Sequence, residues 1–133
     1  MFERILVAVD GSDHSARALD TACDLASRYD GAQVVVVHVP ATGSASDDLL
    51  PAPPGEAVLR DAERRVRATG TPSVSFKALE GNPARAILAE VELCGADLVV
   101  AGRRGLGALD GVLMGSVSQR LTANAPCAVL TTR

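Results

Sequence analysis

Leu98-Val99-Val100-Ala101-Gly102-Arg103-Arg104-Gly105 runs from an apolar stretch straight into a glycine turn. After nine further residues comes Gly115-Ser116, inside a segment with helical spacing at Leu113, Val117 and Leu121. Four apolar residues bounded by turn signals describe a buried strand, here feeding a loop and then a helix. Glycines without a β-carbon let backbone N–H groups turn towards one point and let a ligand come close. Such a concavity beside a helix N-terminus attracts anions, phosphate above all. Glycine spacing alone leaves a second reading open, in which Gly102 and Gly105 turn the chain and Gly107, Gly111 and Gly115 keep a long loop flexible.

The common phosphate motifs are absent. A Walker A loop needs Lys-Ser/Thr after its last glycine, whereas Gly107 is followed by Ala108-Leu109. A dinucleotide fingerprint starting at Gly105 needs a small residue where Asp110 stands, and it belongs after the first strand.

Outward from the loop, the chain alternates strand and helix patterns. Arg4 to Val9 is near-continuously apolar, as expected of a strand covered on both faces. Asp10-Gly11-Ser12 ends it, and Ser12 or Asp13 is placed to cap a helix with apolar positions Ala18, Ala22, Leu25 and Tyr29. Gly31 stops that helix, and Val34 to Val39 makes a second buried strand. Pro40 to Gly55, with prolines at 51, 53 and 54, lacks periodicity and is expected to be a mobile loop within a single domain of residues 1–133. From Glu56 a helix carries the acid-before-base pairs Glu56/Arg60, Asp61/Arg65 and Glu63/Arg67, a solvated face.

Gly70 and Pro72 end this helix, and Val74, Phe76 and Ala78 alternate with polar residues, the pattern of a half-exposed edge strand. Asn82-Pro83 reads as a helix N-cap followed by proline at the first helical position. Ala84, Ile87, Leu88 and Val91 line one face of that helix up to Gly95. Asn124-Ala125-Pro126 breaks the last helix before a fifth strand at Ala128-Val129-Leu130. The fold class is therefore α/β, an open parallel sheet with helices on both faces.

Composition narrows the function. A chain of 133 residues forms one domain and buries roughly two-thirds of its unfolded surface. With two Phe, one Tyr and no Trp, the core is aliphatic and there is little to stack on bases. A net charge of −3 gives no basic footprint, so neither signal favours nucleic acid. Cys23, Cys94 and Cys127 form no CxxC or Cys/His cluster, so they read as small hydrophobes in a reducing cytoplasm, with no metal site expected. Five apolar residues before Asp10 are too few for a signal peptide, and no run approaches the ~18 needed to span a membrane.

Asp10 and Gly102 each stand just past the carboxyl end of a buried strand, where open α/β sheets bind ligands. If those two strands are neighbours, both residues face one crevice. Asp10 then either caps a turn, accepts hydrogen bonds from an adenine or ribose, or approaches a metal.

Taken together, Ile5 to Ser12, Val37-His38-Val39, Gly81-Asn82-Pro83 and Ala96 to Gly102 resemble the universal stress protein family. Its ATP-binding branch carries Gly-x2-Gly-x9-Gly-Ser/Thr, matched at Gly102, Gly105, Gly115 and Ser116, and the resemblance spans the chain. It implies a five-stranded Rossmann-like sheet in the order 3-2-1-4-5, of the adenine nucleotide alpha hydrolase-like kind. It implies ATP, with Mg²⁺ or Mn²⁺, over the carboxyl ends of strands one and four. Asp10 would sit by the adenosine end, with the Ala8 and Val39 backbones near the base. Gly102 and Gly105 would approach ribose and phosphates. Gly115, Ser116 and Val117 would hold phosphates through backbone N–H groups, and the Ser116 and Ser118 hydroxyls would add bonds. Ala8 stands where some ATP-binding relatives have proline, which leaves adenine packing less defined.

The family also pairs through its last strand, and Ala128-Val129-Leu130 is an apolar edge that a homodimer would cover. These features imply an ATP-binding stress-response module; the alternative is a scaffold without nucleotide that works through protein partners. Phosphoryl transfer is poorly supported, since Asp10 is the one carboxylate placed for it and no lysine stands in the loop. Slow hydrolysis or autophosphorylation at Ser116 or Ser118 stays open. No catalytic residue is assigned. A nucleotidyl-transfer or pyrophosphatase signature would need more than Asp10-Gly11-Ser12-Asp13-His14, where His14 reads as an exposed first-turn residue.

Overall fold

The computed structural model describes residues 1–40, 55–104 and 114–133. Of the sequence-based expectations, those on Gly105, Gly107, Gly111, Leu113 and the proline-rich stretch 41–54 lie outside the described residues. The elements are β1 (Arg4–Ala8), α1 (Asp13–Arg28), β2 (Gln33–His38), α2 (Gly55–Thr69), β3 (Val74–Ala78), α3 (Pro83–Cys94), β4 (Leu98–Gly102), α4 (Ser116–Asn124) and β5 (Ala128–Thr132). The strands form one parallel sheet in the order β3-β2-β1-β4-β5. The expected strand order is thus observed. In the central pair Val7 stands opposite Val100, and on the other side of β1 it stands opposite Val36.

Side chains alternate across a strand, so β1 feeds two cores. Ile5, Val7 and Val9 join Ala18, Leu19 and Ala22 of α1 and Val58, Ala62 and Val66 of α2. Leu6 faces the other way, onto Ile87 and Val91 of α3 and Leu121 of α4. Both faces of the sheet are covered, which is why β1, β2 and β4 read as continuous apolar runs. β3 and β5 are the edges, and their side chains are half-buried or exposed.

Local signals act as expected at the helix ends. Ser12 caps α1 by accepting a hydrogen bond from the Ser15 N–H, and Asn82 caps α3 by accepting one from the Arg85 N–H. Gly95 closes α3 at φ +70°, a left-handed conformation that favours glycine. Beyond it, the Asp97 carboxylate accepts hydrogen bonds from the Glu3 and Arg4 N–H groups at 2.8 and 3.1 Å and fixes the entry to β1.

The charged face of α2 is organised differently from the simple i,i+4 scheme. Glu63 and Arg67 do pair, at 2.7 Å. Arg65, however, reaches Asp20 on α1 through two bonds of 2.7 and 2.8 Å, while Asp61 pairs with Arg64. A planar guanidinium finds better geometry on a carboxylate of the neighbouring helix than on its own. Glu90, on the inner side of α3, is 5 % exposed and is neutralised by Lys77 of the edge strand at 2.6 Å. Cys23 is buried, whereas Cys94 and Cys127 are half-buried, and all three are free thiols. No helix among the described residues is long and apolar enough to cross a membrane.

Candidate functional site

β1 and β4 are neighbours, and the chain leaves them in opposite directions: β1 leads through α1 to β2, β4 through α4 to β5. Open α/β sheets bind ligands outside the carboxyl ends of the strands at such a reversal. Asp10 stands on one lip, half-buried, its Oδ1 accepting the Ser12 N–H at 2.9 Å and its own N–H donating to Ser15 Oγ at 3.2 Å. Its turn-forming role is therefore present alongside any role towards a ligand.

The neighbouring wall is pinned by His38. This imidazole is 6 % exposed, and its Nδ1 lies 2.8 Å from Val9 O. With a carbonyl as partner, Nδ1 carries the proton and donates. The Val9 N–H in turn donates to Val37 O at 2.9 Å, so the ends of β1 and β2 are locked together. Ala8, Val39 and Val117 all pack on the same core cluster, the one beneath α3 and α4. Three of the expected site residues thus share one side of the sheet.

The opposite lip is built around Arg103. Its N–H donates to Thr132 O at 2.6 Å, and its carbonyl accepts both the Gly115 N–H and the Ser118 hydroxyl at 2.7 Å. These bonds bring the N-terminus of α4 against the end of β4. They also revise two expectations. The Gly115 N–H and the Ser118 hydroxyl are spent on the Arg103 carbonyl, and Ser118 is 1 % exposed. Ser116 is exposed and Val117 half-buried. Gly115 is the N-cap of α4 and makes no side-chain cap bond, and no other side chain among the described residues is bonded to the first-turn N–H groups. The first-turn N–H groups of an α-helix have no intrahelical acceptor, so those of Ser116 and Val117 are open to an anion.

Gly102 proves to be a packing glycine. A Cβ there would stand 2.8 Å from His14 Cβ and 2.9 Å from both His14 C and Ser15 N. The space that a side chain would need is filled by the first turn of α1, and close approach of a ligand is not required to explain the residue.

His14, read from sequence as exposed, is half-buried and joins three elements. Its Nδ1 accepts the Arg104 N–H at 3.3 Å, and its carbonyl accepts the Thr132 hydroxyl at 3.0 Å. Burial, then the charges of Arg104, Arg17 and Arg103, lower its pKa below the usual 6.5, with Asp13 opposing. The unfolded chain therefore binds more protons than the folded one near and below pH 6.5. The neutral ring's contribution to stability is complete above pH 6.5 and is lost as pH falls through the folded pKa. In urea denaturation the wild type should lose stability between pH 7.5 and 5.5. His14→Asn keeps an acceptor without titrating, and should lose less; equal losses would contradict this role.

Among the described residues no group of three or more His, Cys, Asp or Glu side chains is placed to hold a metal ion. Single-sequence reasoning missed the Arg103 carbonyl and the His14 clasp. The one available signal was the adjacency of Ser12-Asp13-His14 to a strand end.

The fold and crevice define an open parallel α/β domain with an uncapped helix N-terminus at the point where strand order reverses. A family model, the universal stress protein family, matches residues 1–133. The chain belongs to the universal stress protein family. A universal stress protein of Thermus aquaticus is 44 % identical, the alignment covering 100 % of both chains. Among solved structures, a universal stress protein in complex with cAMP has a TM-score of 0.78 and 29 % identity, covering 99 % of this chain and 97 % of that one. The Archaeoglobus fulgidus protein in complex with dAMP has a TM-score of 0.74 and 26 % identity, covering 98 % of each chain.

Proposed function

We propose that this chain binds ATP, together with Mg²⁺ or Mn²⁺, over the carboxyl ends of β1 and β4, and acts as a nucleotide-dependent stress-response module. The observation that carries the reading is the bare first turn of α4, tied to the end of β4 by the Arg103 carbonyl. Oriented N–H groups and the helix dipole favour a phosphate there. Similar proteins solved with cAMP and dAMP support an adenine nucleotide as the ligand class. The Ser116 and Val117 N–H groups and the Ser116 hydroxyl hold phosphate oxygens, with Gly102 and Gly105 passing close to ribose and phosphates. The Ala8 and Val39 backbones flank the base, and Asp10 accepts from the adenosine. Gly115 and Ser118 tie the start of α4 to the end of β4 through the Arg103 carbonyl. The divalent ion, when bound, neutralises phosphate charge.

Calorimetric titration of nucleotide-stripped protein with ATP and Mg²⁺ should give saturable binding near one nucleotide per chain. Folded protein that takes up no ATP would overturn the reading and favour a scaffold working through protein partners.

The module works as a homodimer through β5. Ala128 and Leu130 are exposed on this edge strand, Leu130 at 37 %. An uncovered apolar edge invites pairing, and a second copy satisfies it symmetrically. Sedimentation should show a dimer that Leu130→Lys converts to monomer. A wild-type monomer at tens of micromolar would refute the pairing.

A further inference from the structure

Two atoms beside the crevice lack what they need. The Nε atoms of Arg103 and Arg104 are buried and without a hydrogen-bond partner, the two such side-chain atoms among the described residues. Neither arginine takes part in an ion pair among those residues, nor does Arg17. All three charges act on His14, with Asp13 the opposing one. Both side chains are half-buried, and a guanidinium N–H shut off from water without an acceptor is unfavourable. Arg103 is bonded at its N–H to Thr132 and at its carbonyl to Gly115 and Ser118, and the Arg104 N–H is bonded to His14. Both arginines follow Gly102 directly, and the residue bonded to the Arg103 carbonyl is the N-cap of α4.

Planar guanidinium groups fit phosphate oxygens in pairs and keep their charge at any physiological pH. A single phosphate is served by the N–H groups of α4 alone, whereas a triphosphate brings two further charged groups. The loop has no lysine to meet them. We propose that Arg103 and Arg104 read the polyphosphate end of the nucleotide, so that the crevice prefers a nucleoside triphosphate to the monophosphate. This rests on the nucleotide reading of the same site and adds what discriminates among nucleotides.

The experiment is calorimetric titration with ATP, AMP and inorganic triphosphate, on wild type, on the double variant Arg103→Gln/Arg104→Gln, and on the double Arg→Lys variant. Folding is checked for each by circular dichroism. The wild type should bind ATP about tenfold or more tightly than AMP, as one or two charge-assisted hydrogen bonds would give. The glutamine pair should lose most of that preference and bind triphosphate about tenfold more weakly, with AMP unchanged within about twofold. The lysine pair, with charge but no fork, should fall between. Added KCl should weaken wild-type ATP binding more than AMP binding.

An ATP-to-AMP ratio unchanged in the glutamine pair, or equal wild-type affinities for the two, would overturn the proposal and leave the nucleotide reading standing. Arginine-dependent binding of triphosphate without binding of AMP or ATP would do the reverse. It would support the anion-reading role and refute the adenine nucleotide.

Discussion

Gly102→Val should destabilise the free protein by about 3 kcal/mol, the upper range for forcing atoms into a packed site. For a chain of this size that corresponds to a fall in Tm of roughly 10 °C. The first added carbon already meets His14 Cβ at 2.8 Å and the backbone atoms His14 C and Ser15 N at 2.9 Å. Real Cβ atoms essentially never stand that close, and a backbone contact cannot swing aside as a flexible side chain would. Either β4 or the first turn of α1 must shift. A shift would strain the Arg104–His14 and Thr132–His14 hydrogen bonds as well. Valine adds two methyl groups to the same volume, so Gly102→Ala should show a smaller loss of the same sign. Thermal and urea denaturation without nucleotide are the measurements. A Tm within about 2 °C of wild type for the valine variant would mean that α1 does not need this glycine. The residue would then have to be explained by ligand approach alone.

Gly115→Asp should separate folding from binding. Gly115 has φ −74° and ψ 163°, a conformation open to any L-residue, at the N-cap of a helix with no side-chain cap. Aspartate is among the preferred N-cap residues because its carboxylate accepts from the second or third helical N–H. The variant should therefore be as stable as wild type, or more stable by a few tenths of a kcal/mol. Its Gly115-position N–H remains free to donate to the Arg103 carbonyl. The same carboxylate occupies the N–H groups proposed for phosphate and brings a negative charge to them. ATP affinity should fall about 100-fold or more, by lost hydrogen bonds together with like-charge repulsion at close range. A stable variant that still binds ATP at wild-type strength would move the phosphates away from α4.

Much of the fold is legible in single residues, for identifiable reasons. The runs at Ile5 to Val9, Val34 to Val37 and Leu98 to Ala101 are apolar throughout because helices cover both sheet faces. Val74 to Ala78 alternates because β3 is an edge. Asn82 starts α3 through its side-chain cap with Pro83 at the first turn, and Gly95 ends it through a left-handed conformation that few other residues adopt. The strand order itself came from the family resemblance, since alternation alone does not say that β1 lies beside β4.

The site was legible only in part. Glycine spacing pointed to the turn after β4 but left ligand approach and chain turning both open at Gly102, and the packing of α1 against that residue is visible only in the fold. Ser118 reads as one more hydroxyl near phosphate, but a hydroxyl has a single proton, and in the fold it goes to the Arg103 carbonyl. Backbone carbonyls leave no trace in a sequence. Nor does a partner 45 positions away, as Asp20 is for Arg65, or 90, as Arg104 is for His14. Local spacing rules see only the helix turn in which a residue sits.

The most direct measurement is amide chemical-shift mapping of ¹⁵N-labelled protein as ATP and Mg²⁺ are added. With phosphates on α4 and the base between β1 and β2, the Ser116, Val117, Asp10 and Val39 amides should shift together and saturate at one nucleotide per chain. Amides at the other end of the sheet, at Arg4, Asp97 and Ala128, should stay in place. Saturable shifts confined to that other end, or none at all in folded protein, would contradict a nucleotide site at the carboxyl ends of β1 and β4.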